Sequence, residues 1–404
     1  MSRVRFIVAL LALVAVPSAQ AQVPSDGELK AMEAKVKESI RRGIKFLSAK
    51  RAPEGGWGHA GVDGLAILAY LRSPDTYDDT DPFIRHPLEG LLKIQADKGN
   101  GSVTADGQLD NYVTSIAILA WVDAVELKKV TDPERLKRVE AAIAKARDYL
   151  KGIQADEGEG YDPKDKMYGG VGYGGDMRPD LSNAQLAIEA ARKAGLDEKD
   201  PFFQKALEFL KRTQNRSESN DQKGWPGNDG GFVYYPGFTY GGEYKKPDGS
   251  TGYRSYGSMT YAGIKSYVYA GVKWDDPLVR DALEWIRNNY TVETHPNMGG
   301  DGLFYYYHTF AKTMDLYSSH AQTALIKDAG GQQHHWRYDL AKQLLGMQRE
   351  DGSWKNEKSA KWMEGDPVLA TTFAVVALNY CQKLAPKEPA KEPAKEPAKE
   401  PAKK

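Results

Sequence analysis

The sequence predicts an all-α fold, an α/α toroid in which six helix pairs form an inner and an outer ring around one central cavity. Three observations predict it. Helical stretches with a single apolar face alternate with stretches that are apolar on every side. Glycine-rich loops carrying an aromatic residue mark the joins, most clearly in Gln348-Arg349-Glu350-Asp351-Gly352-Ser353-Trp354. The cycle runs six times, the number that closes a ring; an open solenoid of hairpins is the competing arrangement. A helix apolar all round must be buried all round, so six of them need an enclosing layer.

The first helices of the pairs, taken in order, cover residues 28–49, 82–95, 133–154, 201–214, 277–290 and 334–348. Four open on the same device, Asp81-Pro82, Asp132-Pro133, Asp200-Pro201 and Asp276-Pro277. Asp accepts from the free N–H groups of a first turn, and Pro at the first helical position lacks only a donor that would be idle there. In the third, Leu136, Val139, Ile143, Ala146, Leu150 and Ile153 recur at three and four residues, with Lys and Glu between them. The second helices cover 63–72, 110–124, 181–194, 258–271, 304–317 and 366–381. Leu65 to Leu71 and Phe373 to Leu378 have almost no polar face, and Ala66, Ala69, Ala117, Ala120, Ala374 and Ala377 permit close packing. Gln95, Gln154, Gln214 and Gln348 end first helices, where an amide can bond free carbonyls, so the loop motif reads as structural.

Both ends lie outside this pattern. Arg3 and Arg5, the apolar run Phe6 to Val16 and Ala19-Gln20-Ala21 give residues 1–21 the form of a secretory signal. The run is too short to span a bilayer as a helix. The expected location is therefore secreted or periplasmic. Residues 385–404 repeat Lys-Glu-Pro-Ala, where proline forbids a continuous helix and nothing large and apolar can be buried. A disordered tail is expected, a candidate contact for a protein or the cell wall. Residues 22–384 hold the toroid. No segment after the signal is apolar enough to cross a membrane. With 55 basic and 55 acidic residues and no basic stripe, no nucleic-acid partner is expected. Cys381 is the one cysteine, so no intrachain disulfide and no Cys-based zinc cluster can form.

The Gln348 to Trp354 segment resembles the QxxDGxW repeat of squalene and oxidosqualene cyclases, and its weaker copies are similar to the repeat shared with protein prenyltransferase β subunits. The resemblance covers most of residues 40–381. Tyr256 to Gly263 and Met363 to Thr371 resemble a secreted bacterial branch of that family without known function. The resemblance implies the toroid, and function much less, because one fold hosts many chemistries. The DxDD acid of such cyclases is absent. Asp78-Asp79-Thr80-Asp81 has the wrong order, and Asp81 has a capping task before Pro82. His308-Thr309 resembles a prenyltransferase His-Thr step, but the cysteine partner is missing; no metal and no cofactor is expected.

The starts of the later second helices concentrate polar and aromatic residues, and in a toroid those starts share one mouth of the cavity. Candidate catalytic groups are His308, Asp366 and Glu364; candidate ligand contacts are Arg178, Asp180, Asn183, Tyr253, Tyr256, Tyr261 and Tyr306. His308 has the ring chemistry of a general acid or base. Each also has a structural reading: Asp180 and Asp366 as helix caps, His308 as a core residue, Arg178 as a partner of a loop carboxylate. Of Tyr305, Tyr306 and Tyr307, at most two can face inward. The leading expectation is a cavity for a hydrophobic or isoprenoid-like ligand, with catalysis undecided. A glycan lyase or hydrolase and a protein-interaction module are the alternatives.

Overall fold

A computed structural model describes residues 23–53, 55–104, 107–174 and 177–384. The signal-like segment 1–21 and the repeat tail 385–404 lie outside them. Among the described residues there are twelve α-helices. The outer ones are α1 (Asp26–Lys50), α3 (Pro82–Lys98), α5 (Pro133–Gly152), α7 (Pro201–Thr213), α9 (Pro277–Asn288) and α11 (Trp336–Met347). The inner ones are α2 (Ala60–Leu71), α4 (Asp110–Glu126), α6 (Leu181–Lys193), α8 (Gly257–Tyr269), α10 (Leu303–Ala321) and α12 (Pro367–Asn379). Every expected helix is present. The inner helices pack in the order α2, α4, α6, α8, α10, α12, and α12 returns to α2, which closes the ring. Across that seam the Asn379 side-chain amide donates to the Ala69 carbonyl at 2.9 Å. The fold is an α/α toroid, and no described helix is long and apolar enough to cross a membrane.

The local devices work largely as the sequence implies. Asp132, Asp200 and Asp276 accept from the first turns of α5, α7 and α9. Asp81 does not cap α3: its carboxylate takes the Asp78 N–H at 3.1 Å, outside the helix. In the neighbouring acidic run, buried Asp79 accepts from Thr131 and pairs with Arg135 at 2.6 Å.

The loop glutamines join neighbouring outer helices. Gln95 donates to Gly101 and Ala142, Gln154 to Gly169 and Phe202, Gln214 to Gly230 and Leu278, and Gln348 to Gly352 and Ser39. In each case one carbonyl is in the glutamine's own loop and the other is in the next outer helix; for Gln348 that helix is α1, so the last pair is tied to the first. The loop runs so close to this helix that a Cβ on Gly352, at φ 88°, would lie 2.5 Å from the Arg42 carbonyl oxygen. Trp354 is fully buried and donates through its indole N–H to Leu344 at 2.8 Å. The inner helices answer with threonine hydroxyls: Thr114, Thr260 and Thr371 accept the N–H groups of Val103, Phe232 and Trp354.

Two features are not regular helix pairing. β1 (Glu243–Lys245) and β2 (Thr251–Tyr253) form an antiparallel hairpin before α8, and β3 (Leu325–Lys327) and β4 (Gln333–His335) form another before α11. Their residues alternate over too few positions to signal a strand.

Candidate functional site

The inner-helix N-termini and the loops leading into them enclose a cavity of about 270 Å³ on the ring axis. Leu65 comes from α2, Tyr112 from α4, Met259 from α8, Tyr305 from α10, and Leu369 and Phe373 from α12. Loop residues Tyr173, Tyr234, Tyr240, His295, Met298 and Trp362 complete the wall. Tyr240, Trp362 and Met363 stand at the rim, 44 %, 48 % and 63 % exposed. Trp362 and Met363 hold left-handed backbone angles, φ 51° and 63°, uncommon for residues with side chains. Burial pushes the Tyr112 and Tyr256 phenols well above their usual range, so the wall presents neutral rings.

Polar groups at this mouth are largely tied to the fold. The Glu364 carboxylate accepts the backbone N–H of Tyr305 at 2.7 Å, that of Phe304 at 3.1 Å and the Asn356 amide at 2.7 Å. It thereby caps α10 from another part of the chain, at the helix's positive end. Burial raises its pKa, against the pull of these donors. His295 accepts the Ser258 N–H on Nε2 at 2.9 Å, while its Nδ1 lies 2.7 Å from the Asp301 carbonyl. Burial lowers its pKa to about 4, so it is a neutral imidazole whose tautomer is set by these partners.

The candidate catalytic groups Glu364, Asp366 and His308, and the candidate ligand contact Arg178, have different surroundings. Glu364 lines the cavity, but both its oxygens are occupied. Asp366 is exposed and caps α12 through the Val368 N–H at 2.8 Å, so it is a helix cap rather than a cavity acid. Arg178 is exposed, its guanidinium 4.0 Å from the Tyr235 ring centre. His308 lies below the cavity floor, edge-on to Phe373 with ring centres 5.3 Å apart.

Of the expected ligand contacts, Tyr256 lines the cavity. Asp180 is buried behind the wall, where its carboxylate accepts the Asn183 backbone N–H at 2.9 Å, capping α6, and the Asn183 side-chain amide at 2.9 Å. Burial raises its pKa to about 6 despite these donors. Asn183 bonds back to Asp180, and its own oxygen accepts from Asn111 of α4, so it joins two helices instead of facing a ligand. Tyr253 is in β2, not at a helix start, and packs against Trp225. Tyr261 and Tyr306 face away from the axis: Tyr261 packs on Phe310, and Tyr306 donates to Thr291 at 2.6 Å and stacks on His295. One helical residue is about 100° of rotation, so with Tyr305 on the axis Tyr306 cannot be. Cys381 is buried in the core. Among the described residues no three His, Cys, Asp or Glu side chains are grouped to hold a metal ion.

Sequence reasoning missed most of the wall. Tyr173, Tyr234, Tyr240 and Trp362 belong to loops without periodicity, so nothing local marks the direction of their side chains. Tyr112 and Tyr305 carried a weak signal as large aromatics in the first turns of inner helices.

No protein-family model and no curated protein matches the chain. Solved structures do. A ligand-free variant of the type II terpene cyclase MstE from Scytonema superposes with a TM-score of 0.51 at 16 % identity, covering 88 % of this chain and 99 % of that one. An MstE variant in complex with geranylgeranyl dihydroxybenzoate gives a TM-score of 0.49 at 16 % identity, over 88 % of this chain and 99 % of that one. Unsaturated glucuronyl hydrolase from Streptococcus agalactiae gives 0.42 at 12 % identity, over 89 % of this chain and 93 % of that one. At 16 % identity the first of these likenesses shows the toroid fold alone.

Proposed function

We propose that the chain binds a hydrophobic, isoprenoid-like molecule in the axial cavity. The observation that carries this reading is the cavity wall, built from neutral tyrosine rings, Phe373, methionine and leucine, with an exposed apolar rim. Enclosed apolar pockets with few polar groups are ordinary sites for such ligands. Aromatic faces also tolerate a positively charged or polarised ligand atom by roughly 0.5–2 kcal/mol per ring. Binding rather than turnover is proposed, because Glu364, the one carboxylate among the cavity's described lining residues, is occupied by backbone donors.

The test is solvent extraction and mass spectrometry of the purified full chain, followed by equilibrium titration with farnesol. A hydrophobic species at near-equal molar amount, or saturable farnesol binding, is expected. Leu369→Trp, which places a larger ring in the half-buried cavity wall, should abolish both without unfolding the protein. An empty protein that fails to bind farnesol, or a Leu369→Trp variant that binds it unchanged, refutes the reading.

A further inference from the structure

Directly below the cavity floor three inner helices turn charged side chains toward one another. Glu189 of α6, Lys265 of α8 and Lys312 of α10 are only 2 %, 1 % and 7 % exposed. Lys312 Nζ lies 2.7 Å from Glu189 Oε1, and Lys265 Nζ bonds the other carboxylate oxygen. Two ammonium groups therefore share one carboxylate, and the cluster carries one uncompensated positive charge. Buried charge is costly unless paired, so the fold holds a site that is one negative charge short.

A second observation points the same way. One helical turn nearer the cavity, His308 precedes Lys312 and Gln185 precedes Glu189 on the same helix faces. Both are at least nine-tenths buried, and His308 Nδ1 and Gln185 Oε1 have no hydrogen-bond partner. Burial, and next the two ammonium groups, keep His308 neutral, so a proton on Nδ1 makes it a donor. Gln185 Nε2 donates to the Tyr305 hydroxyl at 3.2 Å. Turning this amide over keeps a bond to that hydroxyl and gives the free position an N–H. Tyr305 and Phe373, which touch this layer from above, are also floor residues of the cavity.

We propose that the Lys265, Lys312 and His308 layer receives the carboxylate or phosphate head group of an amphiphile whose apolar tail lies in the axial cavity. This rests on the cavity reading above and adds the chemical class of the ligand. The head group supplies the missing negative charge and accepts from both ammonium groups and from His308. It passes the floor when the Tyr305 ring turns and releases its hydroxyl from Ser182, 2.9 Å away, and from Gln185. A ligand that joins tail and charge is favoured over a free ion because, on the mouth side, the layer is covered by the aromatic cavity.

The experiment is equilibrium binding of farnesol, farnesoic acid and farnesyl monophosphate to the full chain, with acetate and inorganic phosphate as head-group controls. At least one of the two anionic ligands should bind roughly tenfold or more tighter than farnesol, the effect of one charge-assisted hydrogen bond. Lys265→Met and Lys312→Met should each reduce that preference while leaving farnesol affinity unchanged. Circular dichroism confirms the fold, and either variant alone is sufficient if the other fails to fold. Equal binding of all three ligands, or a preference that survives both substitutions, overturns the anion site and leaves the cavity reading standing. Failure of all three to bind overturns both. Displacement of farnesoic acid by acetate, or of farnesyl monophosphate by inorganic phosphate, at comparable concentration would show a free-ion site and overturn the amphiphile.

Discussion

Replacing Lys265 with methionine should stabilise this protein, whereas replacing its partner Glu189 with glutamine should destabilise it. The asymmetry comes from the charge count. Burial acts against the charged form of both groups, but Glu189 has two ammonium neighbours, which overcome burial and pull its pKa to about 2. Lys265 has only a share of one carboxylate and faces the second ammonium, so burial wins and its pKa falls to about 8. An ammonium held near 8 instead of 10.5 corresponds to a penalty of about 3 kcal/mol at neutral pH. Lys265→Met removes that penalty and leaves Glu189 and Lys312 as a neutral pair. Glu189→Gln leaves two ammonium groups facing each other, at a cost of about 3–5 kcal/mol. The pH dependence follows from linkage. Because the folded pKa is below the unfolded one, the folded state gives up this proton first. The penalty is complete below about pH 8 and is relieved as pH rises toward 10.5. The advantage of Lys265→Met over wild type, read as the difference in urea midpoint, should therefore shrink between pH 7 and pH 10. If Lys265→Met loses as much stability as Glu189→Gln, or if its advantage does not depend on pH, the cluster is charge-balanced and the reasoning fails.

Asp180→Asn should keep the α6 cap and remove a pH dependence. The acid's folded pKa of about 6 lies above 3.8, so wild-type stability falls as pH rises between those values, by up to about 3 kcal/mol, and urea midpoints of the variant should lack that fall. Gln214→Ala should cost about 2–4 kcal/mol in the same assay, since the Gly230 and Leu278 carbonyls and the Tyr267 hydroxyl all lose their partner. Glu364→Gln should cost about 1–3 kcal/mol, because one oxygen cannot serve the N–H groups of both Phe304 and Tyr305. Hydrogen exchange should then rise at the start of α10; unchanged protection there would show that Glu364 is not its cap.

The helices and their alternation were legible because they depend on neighbours three and four residues apart and on Asp-Pro starts, all of them local. The Gln348 to Trp354 loop was legible as a structural motif for the same reason, and the structure adds the partner in the next outer helix. Part of the charged cluster also left a trace, since Glu189, Lys265 and Lys312, like Asp63 and Asp123, are charged residues set within otherwise apolar or neutral runs such as Leu186-Ala187-Ile188 and Tyr261-Ala262-Gly263-Ile264. Charge inside a helix read as buried is an outlier that asks for a partner.

What the sequence by itself determined is thus the set of elements, their burial classes and the closed ring they imply. Only the tertiary structure decided which side chains share the axis. A rotation of one residue about a helix exchanges Tyr305 for Tyr306 at the cavity. Likewise, Glu364 reaches the start of α10 only through a contact 60 residues distant in sequence. Neither the phase of a helix within a ring nor a contact at that separation is encoded in local periodicity; both are set when six inner helices pack together and each must place its largest side chains where the others leave room.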